Sequence, residues 1–209
     1  MNKNGKYILT IDVGTGSGRS IFFDMQGNQI SSAQREWLPI EDIRYPGALD
    51  FDTKGAWNLI IETIKEAMIK ANIKPSEIAG VTATSMREGM VLYNKKKEVI
   101  WACPNVDSRA YEEVVEMLEK DLAKPIYRIG GDWLSITSPA RFWWIRKHAP
   151  YIYENIAYMN MLSYWILFKL SGELVTDPSI GSSSGIFDLS KRKWSDEIPE
   201  IANIPKGIY

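Results

Sequence analysis

Alternating apolar and polar positions open the chain: Tyr7 to Asp12 (YILTID) predicts a β-strand, which breaks into glycines at Gly14, Gly16 and Gly18. Arg19 to Asp24 (RSIFFD) predicts a second strand, closed by the turn-forming stretch Met25-Gln26-Gly27-Asn28, and Gln29 to Leu38 predicts a third. Together they make an antiparallel meander. Beyond the polar stretch Ile43 to Asp52 the period lengthens. Ala56, Trp57, Ile60, Ile64, Ala67, Met68 and Ala71 then share one face of a helix over Thr53 to Asn72, with Asp52 or Thr53 as N-cap and Pro75 as the stop. Ile78 to Thr84 (IAGVTAT) reads as a buried strand, and Met90 to Tyr93 with Val99 to Ala102 as a hairpin around Asn94-Lys95-Lys96-Lys97. Helices are predicted over Arg109 to Leu122, Pro139 to Lys147 and Asn160 to Leu170. The tail from Thr176 holds Ser182-Ser183-Ser184, a short strand Gly185 to Leu189 and the proline-marked stretch Ile198 to Tyr209.

The order strand, strand, strand, helix, strand points to an α/β, ribonuclease H-like layer fold. Its mixed sheet has an antiparallel three-strand meander at one edge, parallel pairing beyond it, and flanking helices. No internal repeat or low-complexity linker interrupts the chain, so one domain is expected. A composition of 45% hydrophobic and 24% charged residues supplies a sizeable core and excludes intrinsic disorder. Lys+Arg 25 against Asp+Glu 26 leaves a formal charge of -1, which removes the usual electrostatic argument for a nucleic-acid partner. Cys103, the one cysteine, forms no internal disulfide, and His148, the one histidine, makes no zinc site by itself. No apolar run reaches the roughly 18 residues that a membrane span needs. The start MNKNGKYILT is too short and too polar for a signal peptide, so a cytoplasmic protein without a membrane partner is expected.

Three constellations can carry chemistry. In Asp12-Val13-Gly14-Thr15-Gly16-Ser17-Gly18-Arg19 a carboxylate ends a strand, and the glycines let the backbone turn tightly and approach a ligand. Successive N–H groups with the Thr15 and Ser17 hydroxyls can bind phosphate oxygens, Asp12 is a hard oxygen ligand suited to Mg²⁺, and Arg19 supplies charge-assisted donors. No Gly-Lys-Ser/Thr follows, as a P-loop requires, and a strand rather than a helix comes next, which sets the dinucleotide pattern aside. An ordinary glycine hairpin with a solvated aspartate fits the same residues equally well. Ser85-Met86-Arg87-Glu88-Gly89 follows the buried strand, where open α/β sheets bind ligands, and an adjacent Arg and Glu suit a polyhydroxylated molecule. A surface ion pair is the plainer account. In Trp101 to Arg109 (WACPNVDSR), an extended backbone points Asp107 and Arg109 to one face beside an aromatic wall. Taken alone, Asp107 or Ser108 as a helix N-cap is the stronger reading. Trp143, Trp144, Trp165 and Tyr164 are read as core of a helical layer, His148 as a helix end, and Cys103 as no nucleophile.

These residues carry a resemblance. Asp12-Val13-Gly14-Thr15-x-Ser17-x-Arg19, with Asp24 and Gly27-Asn28, resembles the opening of the FGGY carbohydrate kinases of the actin-like ATPase superfamily. Ser85-Met86-Arg87-Glu88 is similar to the family's polyol-binding pair. Ile136 to His148 (ITSPARFWWIRKH) is similar to its first signature, although Arg141 stands where lysine is usual and Ile136 is also outside the usual set. Asp177-Pro178-Ser179 through Gly185-Ile186-Phe187-Asp188 resembles the next segment. Ser85 to Asn94 and Ile100 to Ala110 are most similar to members that act on the sugar-like signal autoinducer-2. The likeness implies transfer of the ATP γ-phosphate to a hydroxyl of a sugar, a polyol or autoinducer-2. It implies that Asp12 helps hold Mg²⁺-ATP, and that Thr15, Gly16, Ser17 and Arg19 approach the phosphates. Arg87 and Glu88 would hold substrate hydroxyls, with Asn105, Asp107 and the loop from Leu134 to Thr137, including Ile136, lining the substrate site. The family's catalytic aspartate and its second, nucleotide-clasping domain come after the segment matching Pro199 to Tyr209. The chain alone is therefore expected to lack a general base and kinase activity, and to self-associate through surface its partner domain would cover. Gly130-Gly131-Asp132 is read as a substrate-side loop. A non-catalytic sugar-binding module is the alternative, and a ribonuclease H-like nuclease a distant third.

Overall fold

β-Branched and aromatic residues favour strand in β1 (Tyr7–Val13) and β2 (Ser17–Asp24), and the more polar β3 (Gln29–Glu36) pairs beside them. The short strands β4 (Ile40–Glu41) and β5 (Leu49–Asp50) follow, then helix α1 (Thr53–Lys70), a 3₁₀ turn at Pro75–Glu77, and β6 (Ile78–Ser85). Next come β7 (Met90–Tyr93), β8 (Val99–Cys103), α2 (Tyr111–Glu119), α3 (Ala123–Gly130), α4 (Ser138–His148) and α5 (Pro150–Tyr153). The chain closes with β9 (Tyr158–Met161), α6 (Leu162–Ser171), α7 (Pro178–Gly181), a 3₁₀ turn at Ser182–Ser184, β10 (Phe187–Asp188), β11 (Lys193–Trp194) and α8 (Glu197–Ala202). This computed structural model describes residues 5–209. The chain divides into two units, the first comprising residues up to Pro39 with Asp52–Met86, the second Ile40–Phe51 with Arg87–Tyr209.

In the first unit the sheet order is β3-β2-β1-β6, with β1 antiparallel to β2, β2 antiparallel to β3, and β1 parallel to β6. That is the mixed sheet with a meander edge that the strand order predicts. Leu9, Ile11 and Val13 take the buried side of β1, as a period of two requires. Helix α1 packs on β2 and β3. Its buried stripe is Ala56, Ile60, Thr63 and Ala67, and the one polar member is satisfied: the Thr63 and Ser20 hydroxyls share a 2.7 Å hydrogen bond. Asp52 is the N-cap, its Oδ1 accepting from the Lys54 and Gly55 N–H groups at 3.1 and 2.8 Å.

In the second unit β7 lies between β8 and β9, and all four of its residues are buried. Against it packs a core that includes Trp101, Phe142, Trp143, Trp144 and Met159. Trp165 is also buried, so three of the four aromatics expected inside are there. Tyr164 is not. It is only half-buried, and its hydroxyl donates to Asp177 Oδ2 at 2.5 Å, beside the N-terminus of α7.

Four readings are corrected. The strand expected to be buried, β6, has no buried residue, and Val81 is 41% exposed. The helix expected over Arg109 to Leu122 is the shorter α2, and a helix the sequence reading did not expect, α3, follows it, with Pro125 tolerated in its first turn. The helix expected from Asn160 begins at Leu162, since Tyr158–Met161 pairs antiparallel with β7 instead. Neither Asp107 nor Ser108 caps α2: its N-cap is Ala110, with no side-chain hydrogen bond. Among the described residues no helix is long and apolar enough to cross a membrane.

Candidate functional site

In the first unit the glycine turn sits at the carboxyl end of β1, next to the carboxyl end of β6. Val13 is in register with Ser85, and the Met86 N–H donates to the Val13 carbonyl at 2.9 Å. The turn closes with the Gly14 N–H donating to the Ser17 carbonyl at 2.8 Å. Asp12 lies opposite Arg19 across the β1–β2 pair, and Arg19 Nη2 donates to Asp12 Oδ2 at 3.1 Å. The turn's rim is open: a Cβ added at Gly16 would meet nothing within 4 Å, and one at Gly14 only the Ser17 carbonyl oxygen at 3.5 Å. Such a rim lets a ligand approach the backbone closely.

Trp37, which the sequence pattern did not single out, holds this turn in place. Its indole N–H donates to the Thr15 carbonyl at 3.2 Å and its backbone N–H to the Gly16 carbonyl at 3.0 Å. The ring covers Gly18, where an added Cβ would lie 2.4 Å from Trp37 Cη2. Gly18 is therefore a packing glycine, unlike Gly14 and Gly16. Gly18→Ala is expected to displace the ring and cost about 1–3 kcal/mol, the usual range for overpacking. Urea unfolding would show the loss, and hydrogen exchange would show faster turnover of the Gly14–Ser17 amides than in the wild-type chain.

In the second unit Arg87 and Glu88 form the turn that enters β7, with Arg87 exposed and Glu88 half-buried. Glu88 has φ 63°, a left-handed conformation unusual for a residue with a side chain. Its neighbour Gly89 is anchored by its carbonyl, which accepts from the Leu162 N–H at 2.9 Å. Asn105 is half-buried in the turn after β8, and Ile136 half-buried in the loop before α4. Asp107 is 1% exposed. Its Oδ1 accepts from the Leu49 N–H at 2.9 Å and from Arg109 Nε at 2.7 Å, and its Oδ2 lies 3.6 Å from Arg141 Nε. Arg109 also donates to Asp50 at 2.6 Å and sits over the rings of Trp101 and Trp144, 5.2 and 4.9 Å from their centroids. The aromatic wall expected beside Asp107 and Arg109 is thus occupied by a guanidinium.

Other candidates have structural settings. Gly131 is a left-handed cap that ends α3, its N–H donating to the Tyr127 carbonyl at 2.8 Å. Cys103 is wholly buried, and burial pushes its thiol up to about 12, so it is no nucleophile at neutral pH. His148 ends α4, stacked on Trp144 with centroids 5.0 Å apart. Among the described residues no group of three or more His, Cys, Asp and Glu side chains could hold a metal ion. A two-metal nuclease centre, which needs converging carboxylates, finds no support here.

Comparison with known proteins gives a consistent picture. Residues 7–208 match the model of the FGGY family of carbohydrate kinases, N-terminal domain. Autoinducer-2 kinase from Photorhabdus laumondii is 40% identical over 212 residues, covering 99% of this chain and 40% of that protein. Autoinducer-2 kinase from Salmonella typhimurium is 40% identical over 211 residues, covering 99% of this chain and 39% of that one. The chain thus spans about two fifths of the length of these relatives. Among solved structures, a xylulose kinase from Lactobacillus acidophilus superposes with a TM-score of 0.86 at 23% identity, over 96% of this chain and 40% of that one. Plasmodium falciparum glycerol kinase with ADP superposes with a TM-score of 0.83 at 21% identity, over 94% and 40%. These structural likenesses carry the fold alone.

Proposed function

The chain belongs to the FGGY family of carbohydrate kinases, matching its N-terminal domain, and from that premise we propose that it is the substrate-side part of an ATP-dependent kinase. The acceptor is a hydroxyl of a small sugar-like molecule, with autoinducer-2 first, as the names of the relatives suggest, and a xylulose-like sugar next. The observation that supports this best lies in the first unit: two loops leave the carboxyl ends of the adjacent parallel strands β1 and β6, where α/β sheets receive ligands. One carries Asp12 and the open glycine rim. The other leads through Met86 directly into Arg87 and Glu88 in the sequence.

Phosphoryl transfer is mostly positioning and charge neutralisation. The residues fit a Mg²⁺-nucleotide: one hard carboxylate beside an open backbone turn suits an ion that keeps most of its waters and is shared with phosphate. Asp12 would hold that ion, which when bound neutralises charge on the phosphates. The Thr15 and Ser17 hydroxyls and the backbone at Gly16 would bind phosphate oxygens. Arg19 orients the Asp12 carboxylate through one N–H and keeps others for phosphate. Arg87 supplies donors and Glu88 acceptors for neighbouring hydroxyls of the acceptor, with Asn105 and Ile136 shaping its site. Asp107 contributes from behind, by fixing the loop that bears Asn105. The proton of the attacking hydroxyl needs a general base, which we place in the remaining three fifths of the full-length kinase. On this reading turnover requires that remainder, and the 209-residue chain alone binds without catalysing.

Calorimetry of this chain with autoinducer-2, D-xylulose and glycerol, each with and without Mg²⁺-ATP, tests the reading. ADP release assayed in parallel should stay at background, and should rise to kinase-like rates when the remaining length is supplied. Turnover by the chain alone would refute the division of labour. Sugar binding indifferent to nucleotide, with no turnover in the full-length protein, would favour a non-catalytic binding module.

A further inference from the structure

Helix α4 carries the sequence PARFWWI, in which one cation is embedded among apolar residues. That cation, Arg141, is 1% exposed, so its position is fixed by what its guanidinium meets. Nη1 donates to the Glu88 carbonyl. Nη2 donates to the Pro104 carbonyl at 3.2 Å and reaches the Asp107 carbonyl at 3.5 Å. Nε lies 3.6 Å from the Asp107 carboxylate, which supplies the counter-charge. The groups it meets come from two loops remote in sequence: the turn with Arg87 and Glu88, and the turn Pro104–Asp107 that bears Asn105.

We infer that Arg141 is a positioning residue, whose buried guanidinium clamps these two loops in one arrangement and so sets the spacing of the groups offered to an acceptor. The claim that the loops face an acceptor rests on the proposed kinase reading; the clamp itself does not. Two features give the clamp its force. Glu88 holds a left-handed backbone that needs outside support, and the Arg141 bond falls on that residue's own carbonyl. A planar guanidinium also presents donors along different directions from a rigid fork, so one side chain serves both loops at once. A lysine ammonium is a single point and can serve one loop well or the other, but not both.

Arg141→Lys keeps the charge beside Asp107 and so keeps the fold, which makes it the decisive variant. Hydrogen exchange of the 209-residue chain should show residues 86–89 and 105–108 exchanging about tenfold faster in Arg141→Lys, as expected for loss of hydrogen bonds to a charged donor. The amides of β7 and β8 and the thermal midpoint should hardly move. D-Xylulose or autoinducer-2, whichever binds the wild-type chain, should bind about tenfold more weakly. Faster exchange spread evenly over the unit would mean a merely structural residue, and unchanged exchange in either loop would mean no clamp; both overturn the proposal. Looser loops with unchanged affinity would overturn the link to recognition. A wild-type chain that binds none of these sugars would instead refute the kinase reading, while the exchange data still decide the clamp.

Discussion

Asp107→Ala should lower the unfolding free energy by about 3–5 kcal/mol, the usual cost of breaking a buried ion pair by removing one partner. The carboxylate is buried between two guanidinium groups and also receives the Leu49 N–H. Arg109 would keep a partner, because Asp50 remains at 2.6 Å. Arg141 would lose its counter-charge while still buried, and that unpaired cation accounts for most of the loss. Asp107→Asn, which keeps an acceptor for the Leu49 N–H but not the charge, should fall between wild type and the alanine variant. Urea unfolding of the three proteins measures the series. A loss under about 1 kcal/mol for Asp107→Ala would place it with exposed surface pairs and remove the basis for the network.

The second large effect separates stability from binding. Glu88→Gly should weaken binding of the acceptor sugar by about 10–100-fold, the effect of deleting a charged hydrogen-bonding group. It should not weaken the fold, because glycine adopts the observed φ of 63° without the steric penalty that glutamate bears there. Relief of that strain offsets glycine's larger entropy loss on folding, so the unfolding free energy should be unchanged or up to about 1 kcal/mol higher. Calorimetry and urea unfolding on the same sample give both numbers. A variant that binds sugar like the wild type would remove Glu88 from the acceptor site. A clearly less stable one would show that its side chain is structural.

How far the sequence discloses this architecture depends on the range of the forces involved. The first unit is written locally: alternation in YILTID sets the faces of β1, the β-favouring run in RSIFFD marks β2, and the stripe from Ala56 to Ala67 with Asp52 before it sets α1. The run MNMLSYWIL carries no such local signal, its polar residues keeping neither period, and whether Asn160 is strand or helix is decided by pairing with β7. The same division runs through the site. Glycines after a strand-ending aspartate are visible as a motif. That Trp37 pins their turn, or that Asp107 faces two arginines instead of capping a helix, follows only from side chains brought together across long stretches of chain. A lone arginine inside PARFWWI was the available hint, since a charge in an apolar helix needs a partner.

The sole thiol of the chain belongs to the second unit, deep in its core and chemically silent at neutral pH. Alkylation at Cys103 can therefore proceed only through opening events, so a timed pulse of a maleimide or iodoacetamide reagent becomes a clock for that unit. Read beside a probe of the first sheet, it would tell whether the halves of this fold breathe together or in turn.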